Sequence, residues 1–92
     1  MEQVFSHKRN EQRFELLINN QDVAFISYEV HNGKLYLDHT IVPESLSGQG
    51  IGKILATKAF AAIQAEGLAA VATCSYLVAL IKRNPEWQFI EI

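Results

Sequence analysis

The stretch VPESLSGQGIGKIL runs from Val42 to Leu55 and places three glycines, Gly48, Gly50 and Gly52, within five residues. A pattern of good helix formers follows at once, and a glycine inside a helix costs about 1 kcal/mol relative to alanine. Glycines so close to a helix start have two readings. They make a turn that lets the helix pack tightly on a sheet, or they clear side chains from a loop whose backbone N–H groups hold an anion. The first N–H groups of a helix lack intrahelical acceptors, and the helix dipole adds partial positive charge there. A glycine-rich loop feeding that end therefore suits a phosphate. The spacing is not that of a nucleotide P-loop, which needs a four-residue spacer and a Lys-Ser/Thr pair, and Gly-x-Gly-x-Gly is not GxGxxG. Local pattern leaves the turn and the cradle both open.

Upstream, Arg13–Ile18 (RFELLI) and Val23–Val30 (VAFISYEV) read as strands joined by the turn-prone run Asn19–Asp22. His31, Asn32 and Gly33 supply a hairpin turn, and Lys34–Val42 (KLYLDHTIV) makes a third strand, ended by Pro43. Its alternation predicts Leu35, Leu37, His39 and Ile41 on one face, with Tyr36, Asp38, Thr40 and Val42 on the other. Downstream, a helix is predicted from about Gln49 to Glu66, with Ile51, Leu55, Ala59 and Ala62 along one face and Gly67 as its stop. Leu68–Ala72 is a short buried strand. A second helix opens at Thr73 or Cys74 and runs to about Asn84 before Pro85, and Trp87–Ile92 reads as a final strand. An antiparallel meander followed by helix, strand and helix is an α+β architecture with a mixed sheet.

Ninety-two residues, 49% of them hydrophobic, suit one domain spanning residues 1–92 with a real core. The formal charge of −2 argues against general nucleic-acid binding, which needs surplus Lys and Arg. No apolar run approaches the roughly 20 residues that cross a bilayer. The opening MEQVFSHKRNEQRF has no apolar core of signal-peptide type. One cysteine, Cys74, excludes an internal disulfide and fits a reducing cytoplasm. The expectations are therefore no membrane, no nucleic acid and a cytoplasmic protein.

The glycine stretch resembles the acyl-CoA pyrophosphate loop of the GCN5-related N-acetyltransferases, Q/R-x-x-G-x-G/A, with Val42 and Pro43 at the strand end and then Gly48, Gln49, Gly50, Ile51 and Gly52. Ser47 stands where an Arg or Gln is usual. With His39-Thr40-x-Val42-Pro43, Cys74-x-Tyr76 and Ile81-Lys82-Arg83-Asn84-Pro85, residues 13 to 92 resemble the small YjdJ-type subfamily. Its members lack the two helices that larger relatives insert between their first strands, and the direct turn from Ile18 to Val23 agrees.

That resemblance implies a minimal fold in which two splayed parallel strands, Lys34–Val42 and Leu68–Ala72, form a cleft for acetyl-CoA, with no metal. It implies an acetyl-CoA-dependent N-acetyltransferase of unknown amine or protein acceptor, or a non-catalytic module that binds or senses acetyl-CoA. Ile41 and Val42 would meet the pantetheine, and the backbone of Gly48, Gln49, Gly50, Ile51 and Gly52 the pyrophosphate. Lys53 would add charge there, although a solvated helix lysine is the plain alternative. Asn84, Lys82 and Arg83 could reach the adenosine or phosphates, or simply end a helix in solvent.

Cys74 is either a small buried hydrophobe or an acyl-accepting thiol, since a helix N-terminus favours the thiolate. The subfamily resemblance implies the second. His39, which titrates near neutrality, is a candidate general base or a histidine satisfied within the sheet. Tyr76 is a candidate to protonate the leaving thiolate. His31 and His7 are expected to face solvent. The acceptor and the oligomeric state are not encoded in any motif here.

Overall fold

The computed structural model describes residues 2–92. Five strands form one sheet in the order β1-β2-β3-β4-β5: β1 Gln3–Lys8, β2 Arg13–Ile18, β3 Asp22–His31, β4 Lys34–Ile41 and β5 Ala69–Ala72. Two helices complete it, α1 Ile51–Ala65 and α2 Ser75–Arg83. The pairs β1/β2, β2/β3 and β3/β4 are antiparallel and β4/β5 is parallel, so the expected α+β meander with helix, strand and helix is the observed fold. At the β3–β4 turn Asn32 and Gly33 both take positive φ, 52° and 77°, the backbone of a tight hairpin. Gly67, φ 67°, follows α1 as its left-handed stop.

One face of the sheet carries the core. Phe14 pairs with Ile26, Leu16 with Ala24, Tyr28 with Leu37, Leu35 with Ala70, and Leu37 with Ala72, and all of these residues are buried. Ile51, Leu55, Ala56, Ala59, Phe60 and Ile63 of α1, with Leu77, Leu80 and Ile81 of α2, complete the same cluster. The spacing of these residues is the helical one, so each helix closes a stripe over the sheet. The other face carries Arg13, Leu17, Val23, Phe25, Ser27, His39 and Ile41, half-buried or exposed.

Three expectations change. β1 was not foreseen, because QVFSHK mixes polar residues into a strand. Phe5 and His7 nonetheless turn toward the core side, where the His7 ring stacks on Phe14 with centroids 4.2 Å apart. The His7 side chain is only 8% exposed and bonds Tyr28 and Glu66, so it does not face solvent. The final strand is absent as such: Pro85–Trp87 is a single 3-10 turn, and only Glu91 bridges Val71 on the free edge of β5. Turn bonds from Gln88 N–H to the Pro85 carbonyl and from Ile90 N–H to the Trp87 carbonyl keep the residues before Glu91 out of a ladder.

The third change concerns β4. The register to β3 shifts between Ser27 and Tyr28: Ser27 opposes His39 while Tyr28 opposes Leu37, so Asp38 is the extra residue of a β-bulge. Ser27 Oγ donates to Asp38 Oδ1 at 2.7 Å across it. A bulge inverts the alternation beyond it. His39 and Ile41 therefore leave the face of Leu35 and Leu37 and become exposed, while Thr40, opposite buried Ile26, takes the helix side.

Candidate functional site

β4 and β5 pair only over Lys34–Leu37 and Ala69–Ala72. The Leu37 carbonyl marks the crotch, accepting from the backbone N–H groups of Thr73 at 3.0 Å and Cys74 at 3.1 Å. The Thr73 hydroxyl donates to the same oxygen at 3.2 Å. Beyond that point β5 gives way to α2, and the edge of β4 from Asp38 onward has no strand beside it. Such an edge presents N–H and C=O groups able to pair with amides of an extended ligand.

The glycine loop lies at the open end of this gap. Gly48 and Gly50 have φ of 80° and 74°, and a Cβ added to either would meet no atom within 4 Å. Only glycine holds that backbone cheaply, and its bareness leaves the loop surface open to close approach. Ile54 makes the first intrahelical bond of α1, to the Gly50 carbonyl at 3.2 Å. The N–H groups of Ile51, Gly52 and Lys53 precede it and have no intrahelical acceptor, and no side chain caps them. Gly52 serves differently. Its φ is unremarkable, but a Cβ there would stand 3.0 Å from the Tyr76 hydroxyl and 3.3 Å from its Cζ. The three glycines thus differ in what requires them: Gly48 and Gly50 shape an open loop, and Gly52 admits Tyr76 of α2.

Thr40, Val42, Leu46, Ser47, the three glycines, Ile51 and Tyr76 line a cleft of about 380 Å³. A second cleft of about 390 Å³ lies between α1 and α2, lined by Lys53, Tyr76, Ala79, Leu80, Arg83 and Asn84. Tyr76, 44% exposed, borders both. Asn84 and Lys53, far apart in the chain, are thereby brought to one wall, with Arg83 beside them. Lys82 lies elsewhere, along Gln88, Ile90 and Ile92.

Cys74 is the N-cap residue of α2, half-buried, with its Sγ 3.5 Å from Thr40 Oγ1. Burial pushes its thiol up. The Thr40 hydroxyl and the backbone N–H groups of Leu77, Tyr76 and Thr40 outweigh that and bring it below the ordinary thiol value. No cap hydrogen bond is formed by the neutral side chain, so these donors act on the thiolate once it exists. Among the predicted site residues, Val42, Gly48, Gly50, Ile51, Gly52 and Tyr76 share the first cleft. Gln49 is exposed on the loop, and His39 and Ile41 are exposed on the far side of β4. Thr40 is the residue the sequence reading passed over. It lies beside Cys74 because of the bulge, and the trace of the bulge in the sequence is the change from apolar Leu35 and Leu37 to polar His39.

Residues 13–90 match the family described as GCN5-related N-acetyl-transferase. The chain belongs to that family. Among similar proteins, Protein NATD1 of Homo sapiens is 38% identical over 88 residues, covering 92% of this chain and 77% of that protein. Protein NATD1 of Xenopus tropicalis is 37% identical over 87 residues, covering 92% of this chain and 80% of that one. The solution structure of a GCN5-like protein from Staphylococcus aureus superposes with a TM-score of 0.69 at 26% identity, over 97% of this chain and 87% of that one. Family membership gives the GCN5-related fold its ordinary cosubstrate, acetyl-CoA. Among the described residues no group of three or more His, Cys, Asp or Glu could hold a metal ion, and no helix is long and apolar enough to cross a membrane.

Proposed function

We propose that this protein is an acetyl-CoA-dependent N-acetyltransferase in which the Gly48–Gly52 loop holds the pyrophosphate. The carrying observation is the pair of positive-φ glycines with open space above them, placed where α1 begins and where β4 and β5 part. Backbone N–H groups of Ile51, Gly52 and Lys53 supply donors to the anion, and because they are backbone, Ser47 in place of a longer side chain weakens the site without removing it. The free edge of β4 near Ile41 and Val42 pairs with the pantetheine amides, and this directs the thioester toward Thr40 and Cys74.

Acetyl transfer from there has two routes. In the direct one, an acceptor amine attacks the thioester carbonyl carbon, the C–S bond to CoA breaks, and Tyr76 or solvent returns a proton to the CoA thiolate. In the ping-pong one, the Cys74 thiolate attacks first, acetyl-Cys74 forms as CoA leaves, and the amine then displaces Cys74. The lowered thiol and its contact with Thr40 favour the second route. His39 is exposed on the sheet face away from Thr40, which supports a role for it toward an acceptor approaching that face rather than toward Cys74. A free thiol in such a role suits a reducing compartment such as the cytoplasm.

The bare sheet face favours one other reading, a module that binds acetyl-CoA without turnover, since no helix walls an acceptor pocket there. Calorimetric titration tests the shared part. CoA should bind the native protein, and Gly50→Val should abolish binding; unchanged affinity in that variant would refute the loop. Mass spectrometry after incubation with labelled acetyl-CoA separates the rest. A labelled Cys74 supports ping-pong transfer, whereas no label together with undiminished transfer by Cys74→Ala establishes the direct route.

A further inference from the structure

The sheet ends differently at its two sides. Beside β5 the chain covers its own edge: Ala72 N–H donates to the Glu91 carbonyl at 2.7 Å, and Glu91 N–H to the Ala70 carbonyl at 3.0 Å. At the other side, among the described residues, no strand lies beyond β1. Its six residues contain no proline, and its register with β2 has no bulge, so two common devices that keep an edge from pairing are missing. The ladder sets which backbone groups point outward. Asn19 N–H donates to the Glu2 carbonyl at 2.8 Å, so by alternation the groups of Val4, Ser6 and Lys8 face β2, and those of Phe5 and His7 face the edge. Side chains alternate as well. Phe5 and His7 lie on the core side, while Glu2, Val4, Ser6 and Lys8 share the bare face of the sheet.

We infer that this edge is the interface for a second copy of the chain, with β1 antiparallel to β1 about a twofold axis through Phe5, so that two sheets join into one. Outward groups must meet outward groups. With Phe5 opposite Phe5 of the second copy, the two residues exchange both N–H···O bonds. The same register sets Glu2 of each copy opposite Lys8 of the other. Both side chains are exposed, and among the described residues neither has an ion-pair partner. Sliding one strand by two residues, the next register that keeps outward groups together, loses both charge pairs. On the bare face the apolar row Val23, Leu17, Val4 runs on to Val4 of the second copy. On the core side Phe5 meets its copy and extends the Phe5–Phe14 stack, whose centroids are 6.2 Å apart. Aromatic and opposite-charge pairs across strands are what stabilise such a seam. The glycine-loop clefts, beside β4 and β5, lie away from it and stay open.

Sedimentation equilibrium of the full chain, from micromolar to submillimolar concentration, tests this. Native protein should pass from monomer to dimer mass as concentration rises. Glu2→Lys and Lys8→Glu each set like charges opposite one another at both ends of the seam, and each should raise the dissociation constant roughly tenfold. Glu2→Lys combined with Lys8→Glu restores opposite charges and should return the native constant. A native chain that stays monomeric overturns the interface, whether the edge is idle or takes an extended peptide from another protein. A dimer whose constant ignores both single substitutions overturns it too, because the contact then lies on another face. Hydrogen exchange of the native chain decides the matter even where a variant fails to fold. The Phe5 amide should gain protection as the dimer forms, and a dimer that leaves this amide unprotected overturns the edge pairing.

Discussion

Thr40 and Cys74 illustrate how a single side chain changes the chemistry of its neighbour. The Cys74 thiol is drawn below its ordinary value although burial acts in the opposite direction, so hydrogen-bond donors must outweigh desolvation. Thr40 contributes the side-chain part of that balance. Alkylation by iodoacetamide follows the thiolate, so its rate should rise with pH to a midpoint below that of a free cysteine. Thr40→Val keeps the shape and removes the hydroxyl, and should move that midpoint upward. A profile unmoved by the substitution would show that the helix N-terminus alone sets the thiol. The glycines divide in the same residue-by-residue way. Gly50 is required by its φ of 74°, whereas Gly52 is required by the Tyr76 hydroxyl over it.

Among the elements, β1 is held at the edge of the sheet by more than its ladder to β2. His7 lies on Phe14, and Arg9 and His7 both reach Glu66 at the end of α1. An ionised carboxylate only accepts, so His7 Nδ1 carries the proton toward Glu66, and Nε2 accepts from the Tyr28 hydroxyl at 2.7 Å. One imidazole thus ties the first strand to the first helix and to β3. His7→Ala should lower stability by about 1–3 kcal/mol, since two hydrogen bonds and a ring contact go together. Urea denaturation measures it, and an unchanged midpoint would mean the ring is not engaged. β4 is the other element with a decisive irregularity. Its bulge at Asp38 is what turns Thr40 toward Cys74 and His39 away.

At the scale of the whole molecule, charge and packing are laid out asymmetrically. Both helices and the core lie on one face of the sheet, and those helices carry four cations without an ion-pair partner among the described residues, Lys53, Lys58, Lys82 and Arg83. Two of them, Lys53 and Arg83, line the second cleft and make it locally positive in a chain whose total is −2. Affinity for CoA should fall several-fold between low salt and about 0.3 M salt, because the Debye length shrinks from roughly 30 Å toward a few ångström. Insensitivity to salt would place the binding energy in the backbone loop and apolar walls instead. The opposite sheet face carries no helix, and there the Arg13 guanidinium lies 4.4 Å over the Phe25 ring.

Much of this could be read from residues in order. Asn32-Gly33, Pro43, Gly67 and the helical spacing of Ile51, Leu55 and Ala59 are local signals, each acting through its own backbone preference or periodicity. They suffice for the α+β meander, for α1 and α2, and for a glycine loop at a helix start. The N-terminal strand was not legible, because QVFSHK becomes a strand only when β2 offers its edge and Phe14 and Glu66 receive His7. The bulge left only a faint trace, the polar His39 after apolar Leu35 and Leu37, because the register with β3 that decides it is set between segments rather than within β4. Sequence alone determined β2 to β5, both helices and the loop, through short-range sterics and spacing. Tertiary structure alone decided which residues meet, Thr40 with Cys74 and Tyr76 with Gly52, and which share a cleft, Lys53 with Arg83 and Asn84, because these depend on register and helix docking between segments distant along the chain.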